Sequence, residues 1–191
     1  MFSKYADLEN DTLKNYSSIL AENCYGISLI FKIYINTKNC IDYIPDNVLQ
    51  KASETLVMGR GNNFSKNILL YSLLKISGFE CELNYKYIVD NTKVITCKNN
   101  SIIPWFYVNV YYLDKKLEMD CSLDRSYKKS AGVVIDGNEM EYSVEKYKVK
   151  NKRAFSLLPM DVEDSEDYVL NILSRRGVAG VYSRLRGIGY V

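Results

Sequence analysis

The side chains that usually carry acid–base and nucleophilic chemistry are unevenly represented in this chain. It contains no histidine. An imidazole is the base of Cys-His and Ser-His dyads and a frequent metal ligand. Its absence therefore excludes these dyads and every histidine-ligated metal site, which is the strongest constraint that the composition places on function.

The cysteines show no pattern typical of a metal site or a disulfide framework. They are Cys24, Cys40, Cys81, Cys97 and Cys121, and no two of them form a Cys-x-x-Cys pair. An odd count without such a pair argues against both kinds of site. The Gly-Arg-Gly run at 59–61 is too short to indicate nucleotide binding. The sequence therefore predicts no metal and no cofactor.

The clearest pattern lies between residues 52 and 78, which we interpret as two helices joined by a glycine-containing turn. Asn62 or Asn63 stands at the position of an N-cap for the second helix. Apolar residues cover most of the circumference of this helix, which predicts that it is buried between layers. Gly78 follows at the C′ position that ends many helices.

After this segment the pattern changes to the alternation of half-buried strands. Residues 79–89 alternate between apolar and polar, and residues 105–113 form a second long strand. A turn at 114–115 and a third strand at 117–123 complete the simplest antiparallel hairpin. The sequence therefore predicts the α+β class, with helices packed on an antiparallel sheet.

The remaining segments carry weaker signals. Asp11 or Thr12 is expected to cap a helix that ends near residue 22, and residues 25–36 fit either a strand or a helix. The other predicted elements are short strands at 93–97, 132–135 and 142–148, a helix from 161 to 176, and a short C-terminal helix. We find no repeat or linker, so residues 1–191 are predicted to form a single domain.

The run ASETLVMGRGNNFSKNILLYSLLKISG at 52–78 resembles the core motif of the transglutaminase-like superfamily. In that family a similar segment leads into a catalytic cysteine that opens a buried helix. A helix precedes the core, which favours a helix over 25–36. The run WFYVNVYYLDKKLEMD at 105–120 is similar to the hairpin that carries the family's histidine and aspartate. The resemblance covers about 45–125 and implies a papain-like, cysteine-protease-like core.

The resemblance also implies where the catalytic triad would stand. Asn63 falls on the cysteine position, Trp105 on the histidine position and Asp120 on the aspartate position. Tyr107 and Asn109 fall on the aromatic and glutamate positions of the same hairpin. An amide cannot replace a thiolate nucleophile, and an indole has no basic nitrogen. The resemblance therefore implies that the family's thiol chemistry has been lost.

Three functions remain open for such a chain. The leading hypothesis is a catalytically inactive protein that binds a protein partner, or a small amide- or acyl-bearing ligand, through a remodelled cleft at the five positions just named. The alternative is a noncanonical amide-forming, amide-cleaving or acyl-transfer enzyme whose site is rebuilt around Asp120. The third is a scaffold without any function in the cleft.

Each candidate side chain also has a structural interpretation. Asn63 is a candidate N-cap, and Trp105 would either fill the cleft or form the floor of a pocket. Asp120 would accept a hydrogen bond from Trp105 or Asn63. Cys121 is expected to point away from Asp120 and to belong to the core.

The charge balance bears on partners and location. Lys and Arg total 25 against 23 Asp and Glu, which predicts no general attraction to nucleic acid or to an anionic membrane. The opening residues have no apolar segment of a signal peptide, and no run is long enough to span a membrane. Together with the cysteine pattern, this favours a reducing, cytoplasmic location.

Overall fold

A computed structural model describes residues 2–96, 102–137, 142–158 and 166–174. The helices are α1 (Ser3–Ala6), α2 (Asp11–Ala21), α3 (Gly26–Cys40), α4 (Ala52–Met58), α5 (Asn63–Ile76), α6 (Arg125–Ala131) and α7 (Glu166–Ser174), with a 3₁₀ turn at Val144–Lys146. The strands are β1 (Asp42–Tyr43), β2 (Arg60–Gly61), β3 (Glu80–Asp90), β4 (Ile102–Tyr112), β5 (Lys115–Met119), β6 (Val133–Ile135), β7 (Tyr147–Val149), β8 (Lys152–Arg153) and β9 (Phe155–Leu157). The described chain is α+β, which confirms the predicted class.

The central sheet is antiparallel with the order β5-β4-β3-β9, and its two faces have different covers. On β4, Phe106, Val108 and Val110 pack into a core with the helices, which we call the helical core. Trp105 points to the opposite face. It belongs to a second core with residues of the three-stranded antiparallel sheet β6-β7-β8. Helices α1 to α5 and α7 thus pack on one face of an antiparallel sheet, as predicted, whereas Tyr127 and Ala131 of α6 pack against the second core.

Helix α5 is the buried centre of the helical core, as its apolar circumference predicts. All residues from 63 to 74 except Tyr71 are buried. Asn62 is the N-cap, because its side chain accepts a hydrogen bond from the Ser65 N–H at 2.9 Å. Gly78 has a φ of +83° and ends the helix in the expected C′ position.

The N-terminal helices decide between strand and helix for one segment and show which residue caps α2. The ambiguous segment 25–36 is helical from residue 26 onward, within α3, and Tyr25 is the N-cap. The cap of α2 is Asn10, whose side chain accepts from the Thr12 N–H at 2.9 Å, so the prediction of Asp11 or Thr12 as the cap was wrong. An asparagine oxygen placed just before the helix satisfies an N–H that has no partner within it.

The hairpin differs from the prediction at its turn and at its end. Its turn is formed by Leu113 and Asp114, since Tyr112 pairs with Lys115. The third strand ends at Met119 and does not reach residue 123. The Asp120 side chain accepts from the Ser122 N–H at 2.9 Å, and this local hydrogen bond takes a backbone donor that strand pairing would need.

Two further strand predictions differ from the structure, the first of them for a related reason. Residues 94–96 are a bend, because the buried Asp90 carboxylate accepts backbone N–H groups from Thr92, Lys93, Ile95 and Thr96. Donors engaged in this way are not available to a sheet. The predicted strand at 142–148 is confirmed only from Tyr147, where pairing begins, and Val144–Lys146 form the 3₁₀ turn. The strand at 132–135 is confirmed as β6.

Helix α7 confirms the middle of the helix predicted at 161–176. Residues 161–165 and 175–176, the short C-terminal helix and Cys97 lie outside the described residues. None of the helices in the described ranges combines the length and apolar composition needed to cross a bilayer.

Candidate functional site

The candidate site lies where β4 and β5 separate. Their last register pair is Val108 with Met119, and the same register would place residue 121 opposite Phe106. The chain turns away after Met119, and Asn63 takes the place of the missing strand. Its Oδ1 accepts the Phe106 N–H at 2.6 Å, and its Nδ2 donates to the Phe106 C=O at 2.9 Å. Asn63 is therefore a side-chain substitute for a strand partner and not the helix cap.

Asn67 lies one turn further along α5 and binds the chain that follows β5, the other of the two diverging segments. Its Oδ1 accepts the Cys121 N–H at 3.3 Å. Its Nδ2 donates to Asp120 Oδ1 at 3.3 Å and to Ser122 Oγ at 3.1 Å. Asn63 Nδ2 reaches the same Ser122 Oγ at 2.7 Å. Side chains four residues apart share one helix face, so a single face of α5 joins both strands.

The Asp120 carboxylate is 2% exposed and accepts hydrogen bonds on both oxygens. Oδ2 accepts from Trp105 Nε1–H at 3.0 Å and from the Tyr147 hydroxyl at 2.9 Å. Oδ1 accepts from Asn67 Nδ2, and from the N–H and the hydroxyl of Ser122. The donors are all neutral groups of the protein. The structure therefore pairs Trp105 with Asp120 directly, and links Asn63 to Asp120 through Ser122.

The indole of Trp105 fills the space between the sheet and the second core. It is 1% exposed and lies 5.0 Å, between ring centroids, from Phe155 and 6.3 Å from Tyr43. These rings cover the face on which Asp120 is bound. Of the two roles considered for Trp105, the geometry corresponds to a filled cleft rather than to the open floor of a pocket.

Tyr107 and Asn109 lie further along the same face of β4. Tyr107 stacks on Tyr142 with ring centroids 5.0 Å apart, and Lys86 Nζ lies 4.7 Å from the Tyr107 centroid. Asn109 is 3% exposed and stands opposite Glu118 in the register with β5. Two buried oxygens have no hydrogen-bond partner here, Asn109 Oδ1 and Tyr142 Oη. Such atoms cost free energy unless a water or a ligand satisfies them.

A buried lysine lies beneath the site and was missed by the sequence analysis. Lys66 is 0% exposed, and its Nζ donates to the carbonyls of Lys38 at 3.0 Å and Ile41 at 2.5 Å, at the end of α3. Burial lowers the pKa of Lys66 to about 8, although Cys121 and Asp124 oppose this shift. The sequence signal was a lysine near the start of a helix that was predicted to be buried over most of its circumference.

The cysteine beside Asp120 is a core residue, as expected. Cys121 is 0% exposed, and its Sγ–H donates to the Lys66 C=O at 3.3 Å. Burial raises the pKa of Cys121 to about 12, and nearby Lys66 opposes the shift only in part. A thiol with such a pKa is almost fully protonated at neutral pH and is a poor nucleophile. Burial likewise raises the pKa of Tyr147 well above its usual range, and the Asp120 carboxylate adds to this effect.

The site is closed to solvent. Asn63, Trp105, Tyr107, Asn109 and Asp120 are between 1% and 7% exposed. Two pockets on the described surface, with volumes of about 670 and 230 Å³, are lined by other residues. In the described ranges, no group of three or more Cys, Asp or Glu side chains is placed to hold a metal ion.

We expect Asn63→Ala to lower the free energy of unfolding by about 2–3 kcal/mol, because the N–H and C=O of Phe106 would be buried without partners. Urea denaturation measures this change. Asn84→Ala is the matched control, since the Asn84 amide donates only to the nearby Glu82 C=O at 3.4 Å. A loss below about 1 kcal/mol for Asn63→Ala would mean that water replaces the side chain.

No protein-family model, curated protein or solved structure matches this chain at a significant level.

Proposed function

We propose that this chain is a catalytically inactive transglutaminase-like protein that acts by binding a protein partner. The proximity of Asn63, Trp105 and Asp120 supports this proposal, because these residues occupy the positions that the resemblance assigns to a Cys-His-Asp triad. In such a triad a thiolate attacks the substrate and an imidazole moves the proton. An amide and an indole can perform neither step.

The observation that carries the proposal is the saturation of Asp120. Both of its oxygens accept hydrogen bonds from buried neutral groups, and Trp105 lies over it. A general base needs an oxygen within reach of the substrate proton. The closed arrangement therefore favours a structural role for Asp120 over the alternative of a rebuilt enzyme. It also favours partner binding on the outer surface over binding in the cleft.

The test is an assay of hydrolysis and acyl transfer with model thioesters and amides. We expect the wild-type protein to give the rate of buffer alone, and Asn63→Ala and Asp120→Asn to give the same rate. A wild-type rate clearly above that of buffer, and abolished by either substitution, would overturn the proposal. Loss of activity has to be accompanied by retained folding, measured by circular dichroism.

A second candidate, binding of a small ligand, is favoured by one specific observation. Asn109 Oδ1 and Tyr142 Oη are buried without partners beside the stacked Tyr107 ring. An amide-bearing ligand could satisfy both, because its N–H would donate to Asn109 Oδ1 and its C=O would accept from the Tyr142 hydroxyl; an acyl group without an N–H could accept from Tyr142 only. Titration with simple primary amides distinguishes the candidates, because Asn109→Leu would abolish ligand binding but leave partner binding unchanged.

A further inference from the structure

The hairpin formed by β7 and β8 has two chemically different faces. Tyr147 and Val149 point inward, are 3% and 5% exposed, and belong to the second core that covers the candidate site. Lys148 lies between them in the strand and therefore points outward. Arg153 is opposite Lys148 in the register and shares its outward face, and it is exposed. Lys152 is opposite Val149 and therefore belongs to the other face, but it directly follows the turn and is also exposed. We call residues 147–153 the basic hairpin.

The two positive charges on the outer face weaken the pairing of β7 with β8. Lys148 is directly opposite Arg153 in the register of β7 and β8, and like charges in this position destabilise strand pairing. Each has one surface carboxylate nearby. Lys148 Nζ lies 2.6 Å from Asp136 Oδ2, and Arg153 Nη1 lies 3.3 Å from Glu145 Oε1. Exposed ion pairs of this kind contribute little to stability.

The turn of the basic hairpin also has an unfavourable residue. Lys150 and Asn151 have φ values of 50° and 64°, the left-handed region in which asparagine and glycine are preferred. A lysine in that conformation costs roughly 1 kcal/mol. Within the described ranges, Lys150 and Lys152 form no ion pair. Local stability therefore explains neither the lysine in the turn nor the concentration of positive charge.

We propose that the exposed cations at the turn and on the strands of the basic hairpin bind an acidic segment of a partner protein. The proposal rests on the partner-binding function proposed above and names its surface and the chemistry of the partner. Carboxylates on such a segment would pair with Lys150 and Lys152 and relieve the repulsion between Lys148 and Arg153. Because charged groups on an exposed face mainly govern encounter and specificity, binding is expected to weaken with salt.

Two observations favour an acidic protein over nucleic acid. The basic hairpin has no exposed aromatic side chain on which a base could stack, since Tyr147 is buried. The chain as a whole carries a net charge of only +2, which gives little long-range attraction to a polyanion. A short acidic segment needs only the local group of cations.

The test compares labelled oligo-glutamate with single-stranded and duplex DNA of about 20 nucleotides, by fluorescence anisotropy at about 50 mM salt. We expect the intact protein to bind the acidic peptide more tightly than either DNA. The double variant Lys150→Glu/Lys152→Glu should weaken peptide binding about tenfold or more, and should reduce its dependence on salt.

The matched control is Lys51→Glu/Lys115→Glu, which makes the same change of charge at two exposed lysines elsewhere. It should change binding by less than about threefold. Absence of peptide binding, equal weakening by the control, or tighter binding of DNA through the basic hairpin would each overturn the inference. None of these outcomes would restore catalysis, so the hydrolysis assay tests the proposed function separately.

Discussion

Replacing Asp120 by asparagine should lower the free energy of unfolding by about 3 kcal/mol or more. An asparagine retains the shape but removes the charge. It also presents an NH₂ group where an oxygen accepts hydrogen bonds. Donors from Trp105, Tyr147, Asn67 and Ser122 converge on this carboxylate, so at least one of them would lose its acceptor.

Trp105 provides the measurement, because it is the single tryptophan of the chain and its indole N–H donates to Asp120. Urea unfolding followed by tryptophan fluorescence therefore reports directly on the altered site. Asp114→Asn at the exposed β4–β5 turn is the control, and should leave the midpoint essentially unchanged. A loss below about 1 kcal/mol for Asp120→Asn would show that the charge is dispensable.

Replacing Lys66 by methionine should change how stability depends on pH. Burial lowers the pKa of Lys66 to about 8 in the folded protein, against 10.5 for an ordinary lysine. Below pH 8 both states carry the proton, so Lys66 adds no pH dependence. Between about pH 8 and 10.5 the unfolded state binds the proton more tightly. Stability therefore rises with pH over this interval, by up to roughly 3 kcal/mol.

The quantity to measure is the difference in unfolding free energy between wild type and Lys66→Met, by urea denaturation from pH 6 to 10. Burial raises the pKa values of Cys81 and Cys121 to about 12, so their thiols lower stability above pH 9 in both proteins. Because both proteins contain these thiols, their contribution largely cancels when the two unfolding free energies are subtracted. The difference in unfolding free energy should be constant from pH 6 to 7. Above pH 7 the wild type should become increasingly stable relative to Lys66→Met. A constant difference up to pH 10 would contradict the assigned environment of Lys66.

The sequence contained enough information to predict the elements that bring the site together. The apolar circumference of α5 predicted its burial, and the strand patterns predicted β3, β4 and the last part of β5, residues 117–119. The pairing of Asp120 with Trp105 was among the structural interpretations, and the structure contains it. These features depend on local periodicity or on a short hairpin, and local sequence patterns predict both.

The parts that were missed depend on contacts distant in sequence. The sequence left open whether Asn62 or Asn63 caps α5. Asn63 instead binds the backbone of Phe106, which lies 43 residues away along the chain. The hydroxyl of Tyr147 reaches Asp120 from 27 residues away. Helix α6 was missed although Asp124 caps it through the Tyr127 N–H, because the segment that follows is short and mostly polar. Tertiary contacts of this kind leave no periodic pattern.

The substitution of a strand partner by Asn63 also bears on how the chain folds. The hairpin of β4 and β5 closes through neighbouring residues, and α5 forms from contacts within one helix. The hydrogen bonds of Asn63 and Asn67 connect these units across 43 and 54 residues, so each must wait for a large loop to close. The contact of Asn63 with Phe106 is therefore expected to form late in folding, and to join a helix and a hairpin that have already formed.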